Sequence, residues 1–170
     1  MDSFLSGIDG HLKKMPDYRT KGLADRISAK CTVLPFPVSL PKELEVKTKK
    51  SYARLHVVWP HRWEHDKNPE SFFECLFRLK EEGYTDFGVS VLGGTFSEEP
   101  EIFNRAREVL RENIVRFGHL ESKAEYYDAL SEANVVVSTA NHEFFGAAVA
   151  EAVLCGCYPL VPERYCSKVT

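Results

Sequence analysis

The chain has 170 residues, 44% of them hydrophobic, which is the size of one domain with an apolar core. Its net charge of −3 gives no indication of nucleic-acid binding, and no apolar stretch is long enough to span a membrane. Acidic residues interrupt the N-terminus, which argues against a signal peptide, and five cysteines without a paired framework indicate a reducing compartment. We therefore expect a protein of the cytosol, with the nucleus as a second compartment.

The first part of the chain differs in pattern from the rest. Residues 31–38 predict a short strand that prolines interrupt, and residues 39–51, charged from Lys42 onward, predict a linker. Apolar residues at helical spacing predict a helix close to the N-terminus, with an apolar side formed by Phe4, Leu5, Ile8 and Leu12.

From residue 55 onward, strand and helix patterns alternate strictly. Such alternation predicts an α/β fold, a Rossmann-like parallel sheet with helices on both faces. The dinucleotide fingerprint G-x-G-x-x-G is absent, which argues against a nicotinamide or flavin enzyme. The predicted strands are 55–59, 87–92, 114–117, 134–139 and 158–161, and the predicted helices are 69–82, 100–112, 123–132 and 146–155.

Two cations, Arg62 and Lys67, occupy the predicted loop between the first strand and its helix. The helix has clear start signals, with Asn68 as N-cap and Pro69 at its first position. Loops at the carboxyl ends of parallel strands carry the ligand sites of such sheets. Two cations beside a helix N-terminus are typical of a phosphate site, and a pair of solvated surface cations is the alternative.

Two glutamates lie on either side of an aromatic-glycine turn. Glu143 is predicted at the turn between a strand and a helix, and Glu151 inside that helix, which Gly156 ends. The helical neighbours of Glu151 are small or apolar, so its carboxylate needs hydrogen-bond donors, and the vicinal diol of a ribose would supply two. A glutamate that points into water is the alternative.

Together these features resemble the donor-binding, C-terminal domain of retaining GT-B glycosyltransferases. That family has an Arg and a Lys after the first strand of the domain and a glycine turn after the second strand. The end of its third strand meets the nucleotide base, and a Glu-x7-Glu motif follows the fourth strand. The resemblance covers roughly residues 52–162. The matching elements are Arg62 with Lys67, Val91-Leu92-Gly93-Gly94, Phe117-Gly118-His119-Leu120, and Glu143 with Glu151.

Some segments depart from the general GT-B pattern, and these departures point to a smaller family within it. His61 and Asn68 stand where the family has glycines, and the turn after Glu143 is Phe144-Phe145-Gly146. These segments are similar to the glycosyltransferase-like-domain proteins identified as tRNA-queuosine α-mannosyltransferases. Resemblance to that family implies transfer of mannose from GDP-mannose to queuosine in the anticodon of aspartate tRNA, with retention of configuration and without a metal or cofactor.

The resemblance also implies roles for individual residues. Arg62 and Lys67 would hold the diphosphate and stabilise its charge as it leaves, and Glu143 would complete this catalytic set by holding sugar hydroxyls. Glu151 would hold the ribose. The implied donor-binding residues are Arg62, Lys67, Gly94, His119, Leu120, Glu143, Phe144, Phe145, Gly146 and Glu151, with His119 and Leu120 meeting the base through the backbone.

The resemblance divides the chain into three parts. Residues 1–38 would be the remnant of an N-terminal acceptor domain, 39–51 a linker, and 52–170 the nucleotide-sugar-binding domain, truncated at its C-terminus. We therefore expect the chain to be the donor-binding part of a longer protein and to be inactive alone. The implied partners are a nucleotide-sugar donor and a tRNA acceptor, and no membrane.

The run from His61 to His65 is the main argument for another class of protein. It matches the H-x-x-E-H pattern of inverzincin metallopeptidases, which needs a helix to bring both imidazoles to one zinc. Pro60 and the helix start at Asn68 leave little room for such a helix, so we predict that the chain binds no metal. The sequence is also compatible with a nucleotide-sugar-binding module that has no activity of its own, and with an α/β domain whose charged residues are structural.

Overall fold

The computed structural model describes residues 2–18, 20–34, 37–40, 53–94 and 99–163. The chain divides into two compact units, Met1–Pro37 and Val38–Thr170. In the first unit the helices are α1 (Asp2–Lys13) and α2 (Leu23–Ser28). The predicted N-terminal helix is confirmed, although the side chain of Phe4 is 61% exposed.

The strand predicted over residues 31–38 is wrong, because residues 31–34 and 37–38 form no strand. Prolines at positions 35 and 37 have no N–H group to donate to a sheet ladder, and Leu34 is exposed rather than packed. The predicted linker lies outside the described residues from position 41 onward.

The second unit contains a parallel sheet with helices between its strands. The strands are β1 (Leu55–Pro60), β2 (Phe87–Leu92), β3 (Ile114–Gly118), β4 (Val135–Val137) and β5 (Tyr158–Leu160). The helices are α3 (Pro69–Glu81), α4 (Ile102–Val109), α5 (Lys123–Glu132) and α6 (Ala147–Leu154). The five strands lie in the order β3-β2-β1-β4-β5, and every pairing is parallel. The predicted fold class is confirmed.

Side chains of β1 alternate between the two faces of the sheet, as the strand period requires. Trp59 packs with Phe73 of α3 and Phe103 of α4 in one hydrophobic cluster. Val58 packs with Leu130 of α5 in a second cluster. Because both faces are covered, the central strand is buried on each side, which is typical of parallel sheets. Within the described ranges, no helix is long and apolar enough to cross a membrane.

Two elements, α4 and β4, are shorter than predicted by three residues or more. α4 ends at Val109 rather than 112, because the chain then turns so that the Asn113 amide donates to the carbonyls of Thr85 and Phe87, each at 2.8 Å. β4 ends at Val137 rather than 139, because the residues that follow bond to the loop after β1. That departure from the sheet brings two predicted site segments together.

Candidate functional site

The sheet reverses its winding direction between β1 and β4. From β1 the chain moves outward through β2 to β3, and it then returns to the other side of β1 to form β4 and β5. The loops after β1 and β4 therefore leave neighbouring strands in opposite directions, which opens a crevice at the carboxyl edge. The loop after β1 carries Arg62 and Lys67, and the loop after β4 carries Glu143.

Lys67 and Glu143, predicted to contact the phosphate and the sugar respectively, form an ion pair across this crevice. The Lys67 Nζ lies 3.4 Å from Glu143 Oε2, 3.1 Å from the carbonyl oxygen of His142 and 3.2 Å from Asp66 Oδ2. Two of these contacts, to His142 and Glu143, are hydrogen bonds, and the contact with Asp66 is an ion pair. The side chains are only 10% and 24% exposed, so water screens the pair weakly.

Further hydrogen bonds fasten the two loops to each other. The Thr139 hydroxyl accepts a hydrogen bond from the indole of Trp59 at 3.1 Å and donates one to the carbonyl of Lys67 at 2.9 Å. The Asn141 N–H donates to the carbonyl of Asp66 at 2.8 Å. The backbone of the Lys67 segment is therefore held by the chain that follows β4, and the ion pair is one of several links.

The second oxygen of Glu143 is also bonded. Glu143 Oε1 accepts from the N–H groups of Phe144 at 3.1 Å and Gly146 at 3.2 Å. Gly146 has a φ of 77°, in the left-handed region, and α6 begins at the next residue. The N–H of Gly146, one of the implied donor-binding residues, thus donates to a carboxylate in this structure. Phe144 is fully exposed and Phe145 is 45% exposed at the same turn.

Arg62 lies in the same loop but outside the buried pair. Its Nη1 lies 3.3 Å from Glu64 Oε1, and its side chain is 58% exposed. Exposed ion pairs contribute little to stability, so the guanidinium can exchange its partner for another anion at small cost. Lys67 and Arg62, which the sequence groups together, therefore differ in burial and in how firmly they are held.

Gly93 and Gly94 support the Arg62 loop from the end of β2. The N–H of Gly93 donates to Gly118 at 3.0 Å, and the carbonyl of Gly94 accepts from Trp63 at 3.0 Å. Gly93 has a φ of 122°, and a Cβ there would lie 2.2 Å from the carbonyl oxygen of His61. Only glycine fits such a position. A Cβ on Gly94 would lie 3.8 Å from that of His119, so the ends of β1, β2 and β3 adjoin one another.

Glu151 is bonded by two residues that the sequence did not single out. Tyr126 donates to Glu151 Oε2 at 3.1 Å, and Tyr127 donates to Oε1 at 3.0 Å. Burial, with the nearby Glu151 carboxylate, raises the pKa of both phenols, that of Tyr127 to about 12. The hydroxyls therefore stay protonated and keep donating. The donors that Glu151 needs are supplied by α5, and their only sequence signal is a pair of tyrosines on the preceding helix.

The H-x-x-E-H run has no helix to align its histidines. Residues 61–64 are irregular, and a 3-10 turn covers only His65–Lys67. His61 is buried against the ring of Trp59, whereas the side chain of His65 is 84% exposed, with its Nδ1 3.6 Å from Glu70. The geometry that a metallopeptidase requires is therefore missing from this loop. That the chain binds no metal stays a prediction.

Because His61 is buried, the free energy of unfolding should depend on pH. Burial lowers its pKa to about 4 from 6.5, with Lys67 acting in the same direction and Glu143 against it. A histidine with a lowered folded-state pKa stabilises the fold above pH 6.5, and that contribution is lost as the pH falls towards 4. Between pH 7.5 and 4.5 we expect the parent to lose about 2–3 kcal/mol more free energy of unfolding than His61→Gln.

Urea denaturation at the two pH values measures this difference. The exposed His65→Gln is the matched control and should lose as much as the parent. His56, whose pKa burial also lowers, is present in all three proteins and cancels in the comparison. Equal losses in the parent and His61→Gln would contradict the assignment of a neutral, buried His61.

Comparison with known proteins relates the chain to one family. The sequence model for tRNA-queuosine alpha-mannosyltransferase N-terminal regions matches residues 1–38. Over 171 residues, the chain is 41% identical to the tRNA-queuosine alpha-mannosyltransferase of Drosophila melanogaster, an alignment that covers 96% of this chain. This chain is a relative of the tRNA-queuosine alpha-mannosyltransferases. It spans 45% of the length of the Drosophila protein.

Solved glycosyltransferases share the fold of this mannosyltransferase relative. The pneumococcal O-GlcNAc transferase GtfA, in complex with UDP and GlcNAc, matches with a TM-score of 0.58 and 16% identity over 97% of this chain and 29% of that one. The C-terminal domain of LpcC from Francisella tularensis matches with a TM-score of 0.54 and 18% identity over 63% and 57% of the two chains. The predicted GT-B glycosyltransferase fold is confirmed.

Proposed function

We propose that this chain is the donor-binding part of a retaining glycosyltransferase that transfers mannose from GDP-mannose to queuosine in the anticodon of aspartate tRNA. The observation that carries the proposal is the buried Lys67–Glu143 pair at the point where the sheet reverses. The 41% identity to a tRNA-queuosine alpha-mannosyltransferase supports the choice of donor and acceptor. Residues 1–38 would belong to the acceptor domain, 39–51 to a linker and 52–170 to the donor domain.

In this proposal, cations do the work that a divalent metal does in other transferases. Breaking the bond between the sugar and the diphosphate leaves negative charge on the phosphate oxygens. Arg62, whose exposed guanidinium pairs with the half-buried Glu64, turns to the diphosphate, and Lys67 stabilises the charge from within the crevice. Because the charge develops during the reaction, a cation that is fixed in advance, as Lys67 is, lowers the barrier.

Glu143 has a double role in this proposal. It neutralises Lys67 and accepts from the Gly146 N–H. Hydroxyls of the mannose and oxygens of the diphosphate then compete for these same groups, so binding replaces bonds within the protein by bonds to the donor. The base would meet the backbone at His119 and Leu120, and the acceptor is positioned by other parts of the protein. The site of action would be the cytosol or the nucleus.

Calorimetric titration of this chain with GDP, UDP and GDP-mannose tests the proposal. We expect GDP to bind more tightly than UDP, and Arg62→Ala to weaken GDP binding by about 1.5–3 kcal/mol, the scale of a hydrogen bond to a charged group. Arg62 is exposed, so its removal should leave the melting temperature unchanged. Arg78→Ala, at another exposed arginine, on α3, is the matched control. Tighter binding of UDP, or full affinity for GDP in Arg62→Ala, contradicts the proposal.

A further inference from the structure

Two consecutive tyrosines of α5 converge on one carboxylate of α6. Successive residues point about 100° apart around a helix, so neighbours normally meet different surroundings. Here the rings of Tyr126 and Tyr127 lie 5.4 Å apart at 63°, and their hydroxyls reach the two different oxygens of Glu151. Each oxygen thus accepts one phenol, which fixes the plane of the carboxylate as well as its position.

The carboxylate keeps capacity for a ligand after these two bonds. An ionised glutamate has about four acceptor sites, two on each oxygen, and the tyrosines use one of each. The vicinal hydroxyls of a ribose donate two hydrogen bonds in parallel, one for each oxygen. Tyr126 and Glu151 are half-buried, so solvent reaches them in part, whereas Tyr127 is buried.

The same packing joins Glu151 to the loop proposed to meet the base. Leu120, Tyr126 and Val149 all pack against the second hydrophobic cluster, whose members come from the sheet, α5 and α6. Tyr126 therefore packs against the same cluster as Leu120, in the loop proposed to meet the base, and also donates a hydrogen bond to the carboxylate of Glu151 on α6. A nucleoside bound along these elements would have its base beside Leu120 and its sugar beside Glu151.

We propose that Tyr126 and Tyr127 are positioning residues that hold Glu151 for the 2′- and 3′-hydroxyls of the donor ribose, an inference that rests on the proposed function. Without them, the Glu151 side chain turns about its single bonds, and ordering it on binding costs affinity. The phenols also withdraw some charge from the carboxylate, which weakens its bonds to the diol. Because the tyrosines fix both oxygens at once, the loss of order outweighs the gain in charge.

The experiment compares ligands that differ only in the sugar hydroxyls or lack the nucleoside. GDP, 2′,3′-dideoxy-GDP and inorganic pyrophosphate are titrated into the parent, Tyr126→Phe, Tyr127→Phe and the double variant. UDP and its dideoxy form replace the guanine nucleotides if UDP binds more tightly. The parent should prefer GDP over the dideoxy form, and each phenylalanine variant should lower that preference by about three- to tenfold. Affinity for pyrophosphate should not change.

Controls separate positioning from general packing. Tyr84→Phe, at a tyrosine that is 65% exposed, should behave like the parent. Melting temperatures report any loss of stability. If removal of the buried Tyr127 hydroxyl unfolds the chain, the ribose preference of Tyr126→Phe alone tests the positioning role. A ribose preference that is kept or increased in the folded variants overturns this inference and leaves the proposed function intact. Equal parent affinity for GDP and its dideoxy form also overturns it. A parent that binds neither nucleotide overturns the proposed function as well.

Discussion

Replacing Lys67 with methionine will lower the free energy of unfolding by about 3 kcal/mol. The substitution keeps the aliphatic stem but leaves the carboxylate of Glu143, which is 24% exposed, without its cation. Removing one partner of a buried pair is costly because the remaining charge has lost both water and its counter-charge. The carbonyl of His142, which accepts from the same ammonium, loses a donor as well. Urea denaturation at pH 7 measures the effect.

The double variant Lys67→Met/Glu143→Gln distinguishes an unpaired charge from lost packing. It removes both charges and should recover more than half of the stability lost in the single variant, because a neutral amide is far cheaper to bury than a carboxylate. Arg78→Met breaks an exposed pair on α3 and should cost less than about 0.5 kcal/mol. If Lys67→Met behaves like Arg78→Met, then the crevice is as well hydrated as the surface, and the role of Lys67 as a fixed cation is wrong.

The sequence predicts the elements of the larger unit well because its local signals agree. The Asn68 side chain accepts from Ser71 N–H at 3.3 Å and Pro69 begins α3, as predicted from residue types alone. Strand and helix periods then alternate without conflict. The strand predicted over 31–38 is absent because two local signals oppose each other. The apolar content favours a strand, whereas each proline lacks the N–H group that would donate to a neighbouring strand. The sequence pattern does not show which of the two effects is larger.

The candidate site is predicted only in part because its contacts depend on strand order. Lys67 and Glu143 lie 76 positions apart in the chain, and they meet because β4 lies beside β1 rather than beside β3. The sequence groups Lys67 with Arg62 instead, five positions away, although these two side chains have different partners. Local spacing shows which residues share a loop, but not which loops share an edge of the sheet.

Glu151 is a second case in which local sequence spacing does not predict contacts with another element. Its apolar helical neighbours predict correctly that it needs hydrogen-bond donors, but helix spacing describes only the helix on which a residue lies. The donors found in the structure come from α5, through the packing of two helices on one face of the sheet. A ribose bound beside Glu151 would donate to the same carboxylate as these two tyrosines, and the nucleotide titrations test this.

On the proposed function, we expect Arg62→Met in a full-length protein with this sequence to slow mannose transfer by about 10²–10³-fold, the scale of removing one group that stabilises transition-state charge. The assay is incubation with GDP-mannose and queuosine-containing tRNA, followed by mass spectrometry of the nucleosides. Arg78→Met is again the control, since it removes an exposed cation distant in sequence from the crevice loops.

The division of this loss between kcat and KM decides what Arg62 does. A cation that binds the diphosphate equally in the ground and transition states raises KM and leaves kcat unchanged. A cation whose bond strengthens as charge develops on the leaving group lowers kcat. Arg62 is exposed and, among the residues that the structure describes, its ion-pair partner is Glu64, so it can follow the diphosphate as the bond breaks. We therefore expect the loss mainly in kcat. An unchanged kcat with a raised KM would limit Arg62 to binding and leave Lys67 as the cation that acts on the leaving group.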